Sequence, residues 1–418
     1  MNNEQPFQIC IPDTKIERLR QKLELVDFPD ELDDAGWDYG APLSDIQRLV
    51  ERWRTGYDWK KHETLLNSEL PQFTRDIEVE GFGILNIHYV HKKSAVGSAI
   101  PLLFVHGWPG CFLEVRKILP LLVKGSPSFH VVAISLPGFG FSTAPKQKGF
   151  KLQHYAEVCN KLMLSLGYEE YVTQGGDWGS RITRKIAEVD RGKHSKAWHT
   201  NWPFGPPPHP IGQPWQFIKN SISWHTADEQ AGMERTSKFQ REGRGYFSIQ
   251  STKPQTLGYG LTDSPVGLLA WIYEKLVDWT DSYPWTDDEG RVGVHGMRTL
   301  KKVALVLTWV SIYWFSRSGP TASTRIYYEV TKGDGLTLEA ILPPPPIPHG
   351  VSYFPKELVT LPKSWVARAA NIVFESQHDK GGHFAAHEVP ELLVADLRKM
   401  FGKGGPAYGV IPTKVGYE

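Results

Sequence analysis

The chain has 418 residues, 40% of them hydrophobic and 22% charged, which is enough to bury a large core. Forty-seven basic residues against 46 acidic ones leave a net charge of +1, which argues against a nucleic-acid or anionic-membrane partner. Three scattered cysteines (Cys10, Cys111, Cys159) make neither a disulfide framework nor a metal pattern, so a reducing, cytoplasmic location is expected.

The N-terminus carries no stretch resembling a signal peptide or anchor, and no run of about 18 apolar residues occurs, so a soluble protein is expected. Aromatic content is high, with 15 tryptophans. Most must be core, but such a surplus also suits an apolar ligand pocket.

Apolar residues at Ile16, Leu19, Leu23 and Val26 predict a helix over Ile11–Val26, with Asp13 and Thr14 as N-cap candidates. Further helices are expected at Leu43–Thr55 and Trp59–Leu70, then a hairpin of Phe73–Glu80 and Leu85–His91 around Gly81 and Gly83. The buried strand Pro101–Val105 runs into His106-Gly107-Trp108-Pro109-Gly110, and a second, His130–Ser135, follows. Next come helix Leu152–Leu166, strand Tyr171–Gln174, the turn Gly175-Gly176-Asp177-Trp178-Gly179 and helix Ser180–Val189. Alternating strands and helices predict a mostly parallel sheet covered on both faces.

The rhythm breaks at Asn201 with a proline-rich stretch through Pro206, Pro207 and Pro208. About 120 residues of helical periodicity follow, including Val266–Trp279 and Leu300–Trp314, closed by Pro343–Pro346. Strands Val351–Phe354 and Asn371–Glu375 and helix Val389–Phe401 complete the chain, so the insertion reads as a helical lid in an α/β domain. The expected division is an N-terminal extension (1–95), core (96–204), lid (205–345), core (346–402) and tail (403–418).

A glycine-flanked residue between a strand and a helix is a nucleophile elbow, and here the central residue is Asp177. A carboxylate attacking an ester yields only an anhydride, whereas at a saturated carbon it displaces a leaving group and forms an ester that water can cleave. The residue type therefore selects displacement at sp3 carbon. In this fold the acid and the histidine follow the nucleophile in the chain. His383, in Gly381-Gly382-His383-Phe384, is the expected base, with His387 as its competitor. Glu357, after the Val351–Phe354 strand, is the expected acid, with Glu375 and Asp379 as alternatives. The backbone amides of Trp178 and Trp108 are the expected oxyanion donors.

These motifs, together with Gln250-Ser251-Thr252-Lys253-Pro254, Asp263-Ser264-Pro265-Val266-Gly267-Leu268 and Phe354-Pro355-Lys356-Glu357, resemble the microsomal-type epoxide hydrolases nearly end to end. The resemblance implies an α/β-hydrolase fold and conversion of an epoxide and water to a vicinal diol through an alkyl-enzyme ester, with no cofactor or metal. It also implies two lid tyrosines that bind the epoxide oxygen, matched here by Tyr246 and Tyr327, with Tyr328 beside the latter. Membrane-bound relatives carry an N-terminal anchor, and this chain begins at the extension, so a soluble member is implied. Lid aromatics such as Trp202, Phe204, Trp224, Trp271 and Trp309 suggest an apolar or aryl epoxide. Detoxification and a biosynthetic step stay equally open, as does a homodimer with the C-terminal tail packed on a neighbouring subunit. The rivals are a dehalogenase on the same fold, which needs indole halide donors, and a noncatalytic apolar-ligand-binding protein.

Overall fold

Every residue of Ile100–Val105 and of Phe129–Ile134 is buried, and strands covered on both faces belong in the interior of a parallel sheet. The computed structural model of the chain describes residues 4–205, 207–208, 211, 214–215, 218, 225–282, 305–332 and 344–418. Within them nine strands form one sheet, in the order β1-β2-β3-β5-β4-β6-β7-β8-β9. These are β1 (Gln5–Phe7), β2 (Gln72–Val79), β3 (Gly83–Lys92), β4 (Ile100–Val105), β5 (Phe129–Ile134), β6 (Tyr171–Gly175), β7 (Ser195–Thr200), β8 (His349–Tyr353) and β9 (Ile372–Gln377). From β5 to β9 neighbouring strands pair in parallel, while β1, β2 and β3 add antiparallel pairs at one edge, with β3 against β5. This is the mostly parallel α/β-hydrolase sheet that the sequence predicts. The chain leaves β4 on one side to form β5 and later returns on the other to form β6. The ends of β4 and β6 thus flank the crevice where such sheets bind ligands.

The first helices are α1 (Asp13–Glu24), α2 (Leu43–Thr55) and α3 (Trp59–Glu69). α1 buries the predicted Ile16, Leu19 and Leu23, and α2 buries Ile46, Leu49, Val50 and Trp53. α1 has Pro12 at its N-cap without a side-chain cap bond, so neither Asp13 nor Thr14 caps it. Proline at the cap sets the entry backbone, leaving Asp13 as the first helical residue. Beyond them lie α4 (Val115–Lys124), α5 (Leu152–Ser165) and α6 (Asp177–Asp190). β7 and α4 are elements that periodicity does not reveal: β7 mixes Lys196 and His199 with Trp198, and α4 contains Pro120.

The lid helices are Ala227–Lys238, Gly245–Thr252, Pro254–Asp263, Pro265–Asp278, Leu305–Trp314 and Arg325–Thr331. The N-terminal extension braces them: Tyr273 donates its hydroxyl to Asp45 Oδ2 at 2.6 Å, and Lys22 pairs with Asp263 at 2.6 Å. Pro206, Trp224, Leu300 and Pro343 lie outside the described residues. The tail packs on its own chain. Ala407 and Ile411 are buried, and Gly416 exchanges backbone hydrogen bonds with Ser98 and Ser128. Among the described residues no helix is long and apolar enough to cross a membrane.

Candidate active site

At the end of β6 the chain turns sharply into α6, and Asp177 is the first residue of that helix. Its φ is +49°, a left-handed conformation that costs a residue with a side chain on the order of 1–2 kcal/mol. The flanking glycines are needed for space. A Cβ on Gly179 would meet the Val105 carbonyl oxygen at 1.9 Å, and one on Gly175 would meet the Gly179 carbonyl carbon at 2.5 Å. Gly107 serves the carboxylate itself, since a Cβ there would lie 2.2 Å from Asp177 Oδ1.

Asp177 is 9% exposed, and its two oxygens have different neighbours. Oδ1 accepts the Trp108 backbone N–H at 2.8 Å, while Oδ2 lies 3.4 Å from His383 Nε2. Trp178 follows directly, so its amide belongs to the first turn of α6, where N–H groups lack intrahelical acceptors. The Trp108 amide is held by the turn around it. His106 is buried and its imidazole is pushed down to about 4 by burial, so the ring is neutral. Its Nε2 accepts the Leu136 amide at 3.2 Å, which leaves Nδ1–H to donate to the Gly107 carbonyl at 2.9 Å. From the lid helix Leu305–Trp314, the Trp309 indole donates to the Pro109 carbonyl and the Tyr313 hydroxyl to the Gly110 carbonyl, each at 2.6 Å.

On the other side of the histidine, Nδ1 meets Glu357 Oε1 at 2.6 Å. Burial alone would push the imidazole down. The charges of Glu357 and Asp177 and their hydrogen bonds outweigh it and lift His383 well above the ordinary histidine range. The competitors lie elsewhere. Glu375 is exposed and accepts the Tyr353 hydroxyl, Asp379 is exposed, and buried His387 packs edge-on against Trp309.

The lid meets this loop along a hydrogen-bonded seam. His383 donates its backbone N–H to the Trp279 carbonyl at 2.9 Å, and Gly381 donates to Asp281 Oδ2 at 2.9 Å. Glu388 accepts the amides of Asp281 and Phe384 at 2.7 and 2.9 Å. A Cβ on Gly382 would sit 2.7 Å from the Trp279 carbonyl oxygen, so the seam needs glycine there.

Two lid tyrosines complete the surroundings of Asp177. Tyr246 stacks on Trp108 with ring centroids 5.3 Å apart, and Tyr327 stands edge-on to Trp178 at 4.9 Å. Their own rings are 5.9 Å apart. Burial first, then the Asp177 charge, holds the Tyr246 phenol above its usual range, and burial with Tyr246 and Asp177 does the same for Tyr327. Both are therefore neutral O–H donors at physiological pH. Tyr328 is only half-buried and has the Lys332 ammonium 5.2 Å from its ring centre. Glu329 anchors the same helix by accepting the Gly149 amide at 2.9 Å.

Of the expected pocket aromatics, Trp202 stands edge-on to His383, whereas Phe204 lies beneath the Arg181 guanidinium. Trp271 donates to Gln250, and Trp309 is spent on the Pro109 carbonyl. The site residue that sequence reasoning misses is Glu114, buried in the 3-10 turn Phe112–Glu114. Its carboxyl is pushed up to about 8, chiefly by burial. The one available signal was an acid inside the apolar run from Phe112 to Val115.

Residues 4–115 match the family model described as epoxide hydrolase N terminus, and residues 100–228 match alpha/beta hydrolase fold. Epoxide hydrolase 1 of Sus scrofa is 34% identical over 418 aligned residues, covering 95% of this chain and 88% of the relative. The solved structure of Aspergillus niger epoxide hydrolase superposes with a TM-score of 0.79 at 35% identity, covering 95% of both chains. That of juvenile hormone epoxide hydrolase from Bombyx mori gives 0.82 at 28% identity, over 96% and 94% of the two chains. Matched in sequence and fold over nearly its whole length, the chain belongs to the epoxide hydrolase family and is an epoxide hydrolase of the α/β-hydrolase fold.

Proposed function

We propose that this epoxide hydrolase opens an apolar or aryl epoxide through a covalent ester on Asp177. The observation that carries this reading is the arrangement around one carboxylate. Asp177 lies between a backbone N–H at 2.8 Å and an imidazole at 3.4 Å, beneath two neutral phenols. Tyr246 and Tyr327 donate to the epoxide oxygen while Asp177 attacks an adjacent carbon from behind. The opened oxygen leaves as an alkoxide and needs one proton, which a phenol can supply at neutral pH.

Alkylation then changes the histidine. Conversion of Asp177 to a neutral ester removes one of the two negative charges that lift His383. The imidazolium gives up its proton, which replaces the one taken from the phenol. Neutral His383 next accepts a proton from water as the water oxygen bonds to the ester carbonyl carbon. The resulting oxyanion faces the Trp108 and Trp178 amides. Its collapse breaks the bond to the substrate oxygen, which takes the remaining water proton, so the diol leaves with the Asp177 carboxylate and the imidazolium restored. Glu357 keeps the imidazolium oriented and charge-compensated. The aromatic rings of Trp108, Tyr246, Phe247, Trp279 and Tyr327, which pack against one another, support an apolar or aryl substrate.

A single turnover in heavy-oxygen water, followed by isolation of the Asp177 peptide, tests the ester. Label in the Asp177 carboxylate is expected, and its absence would overturn the covalent route. His383→Gln should accumulate the adduct, visible as a mass increase of the intact protein.

A further inference from the structure

Beside the Asp177 carboxylate lies a small cavity of about 10 Å³. That is close to the smallest space that holds a single water. Glu114, Gln174, Asp177 and His383 line it, with Gly107 and Gly110, while Tyr246 and Tyr327 do not. The cavity therefore reaches the carboxylate without touching the phenols, although Trp108 and Phe384 also line it.

The Glu114 carboxyl borders this cavity and is unusually placed. Glu114 is 9% exposed, and its Oε1 has no hydrogen-bond partner among the described residues. Leaving a carboxyl oxygen buried and unsatisfied is costly, so a group in that position calls for a partner. The backbone makes room for it: a Cβ on Gly110 would lie 2.0 Å from Glu114 Oε1. Gln174 Oε1, at the same cavity, also lacks a partner among the described residues. Two unsatisfied acceptors facing a one-water space, beside the histidine and the nucleophile, mark a built water site.

We propose that Glu114 holds the hydrolytic water of the second half-reaction. The water donates one hydrogen to Glu114 Oε1 and the other to His383 Nε2. Its oxygen lone pair is left to attack the Asp177 ester carbon from the cavity. The water oxygen becomes a carboxylate oxygen of Asp177, one water proton goes to His383, and the second passes to the substrate oxygen as its bond to the carboxyl carbon breaks. Glu114 exchanges no proton in this step. Burial keeps its carboxyl protonated at neutral pH, so it adds no negative charge to oppose the developing oxyanion. This inference rests on the ester reading of the preceding section.

The test follows both half-reactions in the full-length protein with styrene oxide as probe, using rapid quench and intact-protein mass. In E114L, alkylation of Asp177 should continue at a rate close to that of the wild type. Ester hydrolysis should slow about 100-fold, so the adduct accumulates. E114Q, whose amide oxygen still accepts a hydrogen bond, should restore most of the hydrolysis rate. A purely structural role would slow both half-reactions together and would not give this split. Wild-type hydrolysis in E114L, or equal slowing of both steps in E114L and E114Q, would overturn the assignment. If E114L does not fold, E114A decides by the same split. His383→Gln separates the two readings. An adduct in that variant but not in E114L rejects the role of Glu114 alone, whereas no adduct in either, with no heavy oxygen in Asp177, rejects the ester reading and this inference together.

Discussion

The Trp309 indole N–H donates to the Pro109 carbonyl at 2.6 Å, joining a lid helix to the turn that presents the Trp108 amide to Asp177. Both partners are buried, so removing the donor leaves a carbonyl without compensation. Trp309→Phe is expected to cost about 1–3 kcal/mol of stability and to lower turnover by loosening the Trp108 amide. Thermal melting and steady-state kinetics check this. An unchanged melting temperature together with unchanged kcat would count against the clamp.

The paired phenols give a second expectation. Tyr246→Phe and Tyr327→Phe should each slow epoxide opening by roughly 100-fold, and the double variant should lose nearly all of it. Tyr328→Phe should have little effect, because Tyr328 is half-buried and engaged by Lys332. Single-turnover alkylation rates separate these cases. A larger loss in Tyr328→Phe than in Tyr327→Phe would reverse the assignment.

The Asp177 carboxylate is one of two charges that raise His383, so Asp177→Asn, which imitates the neutral ester, should lower the imidazole pKa. Nuclear magnetic resonance of histidine labelled on the ring would follow its titration in both proteins. No downward shift in the variant would show that the alkylated enzyme gains no base from losing that charge.

Glu114 makes a pH prediction whose sign is set by burial. Its folded value of about 8 lies above the 4.5 of an ordinary glutamate, against the opposing influence of His383 and with that of Asp177. Its contribution to stability is therefore fully present below about 4.5 and is lost as pH rises through about 8. The wild type should lose stability relative to Glu114→Gln across that window, by on the order of a few kcal/mol, and the difference should level off above it. Chemical denaturation at a series of pH values measures it. A pH-independent difference would mean that Glu114 titrates normally.

Strands β4 and β5 are legible in the sequence because burial on both faces leaves almost only apolar residues there, His130 excepted, and the elbow is legible because its glycines are forced by atomic contact. β7 is hidden because its buried positions include His199, which bonds to Ser352 inside the sheet, so polarity there does not mean exposure. The tail is hidden because its anchors, Ala407 and Ile411, are isolated among glycine and proline and show no period. Asp177, His383 and Glu357 sit in local motifs and can be read in order. Glu114, Trp309 and Tyr313 meet their partners only through the fold: one faces a cavity made by four separate segments, and two donate to backbone carbonyls about 200 residues away.

The seam between Trp279–Asp281 and the His383 loop limits how these enzymes can be recombined. A lid grafted from a relative to change substrate range would bring its own carbonyl and carboxylate to the backbone of Gly381 and His383. Unless Gly382 and Glu388 came with it, the graft would shift His383 although Asp177, Glu357 and His383 all kept their identities. Chimeras of this family should therefore be cut so that lid and histidine loop travel as one cassette, with the elbow left behind on the recipient.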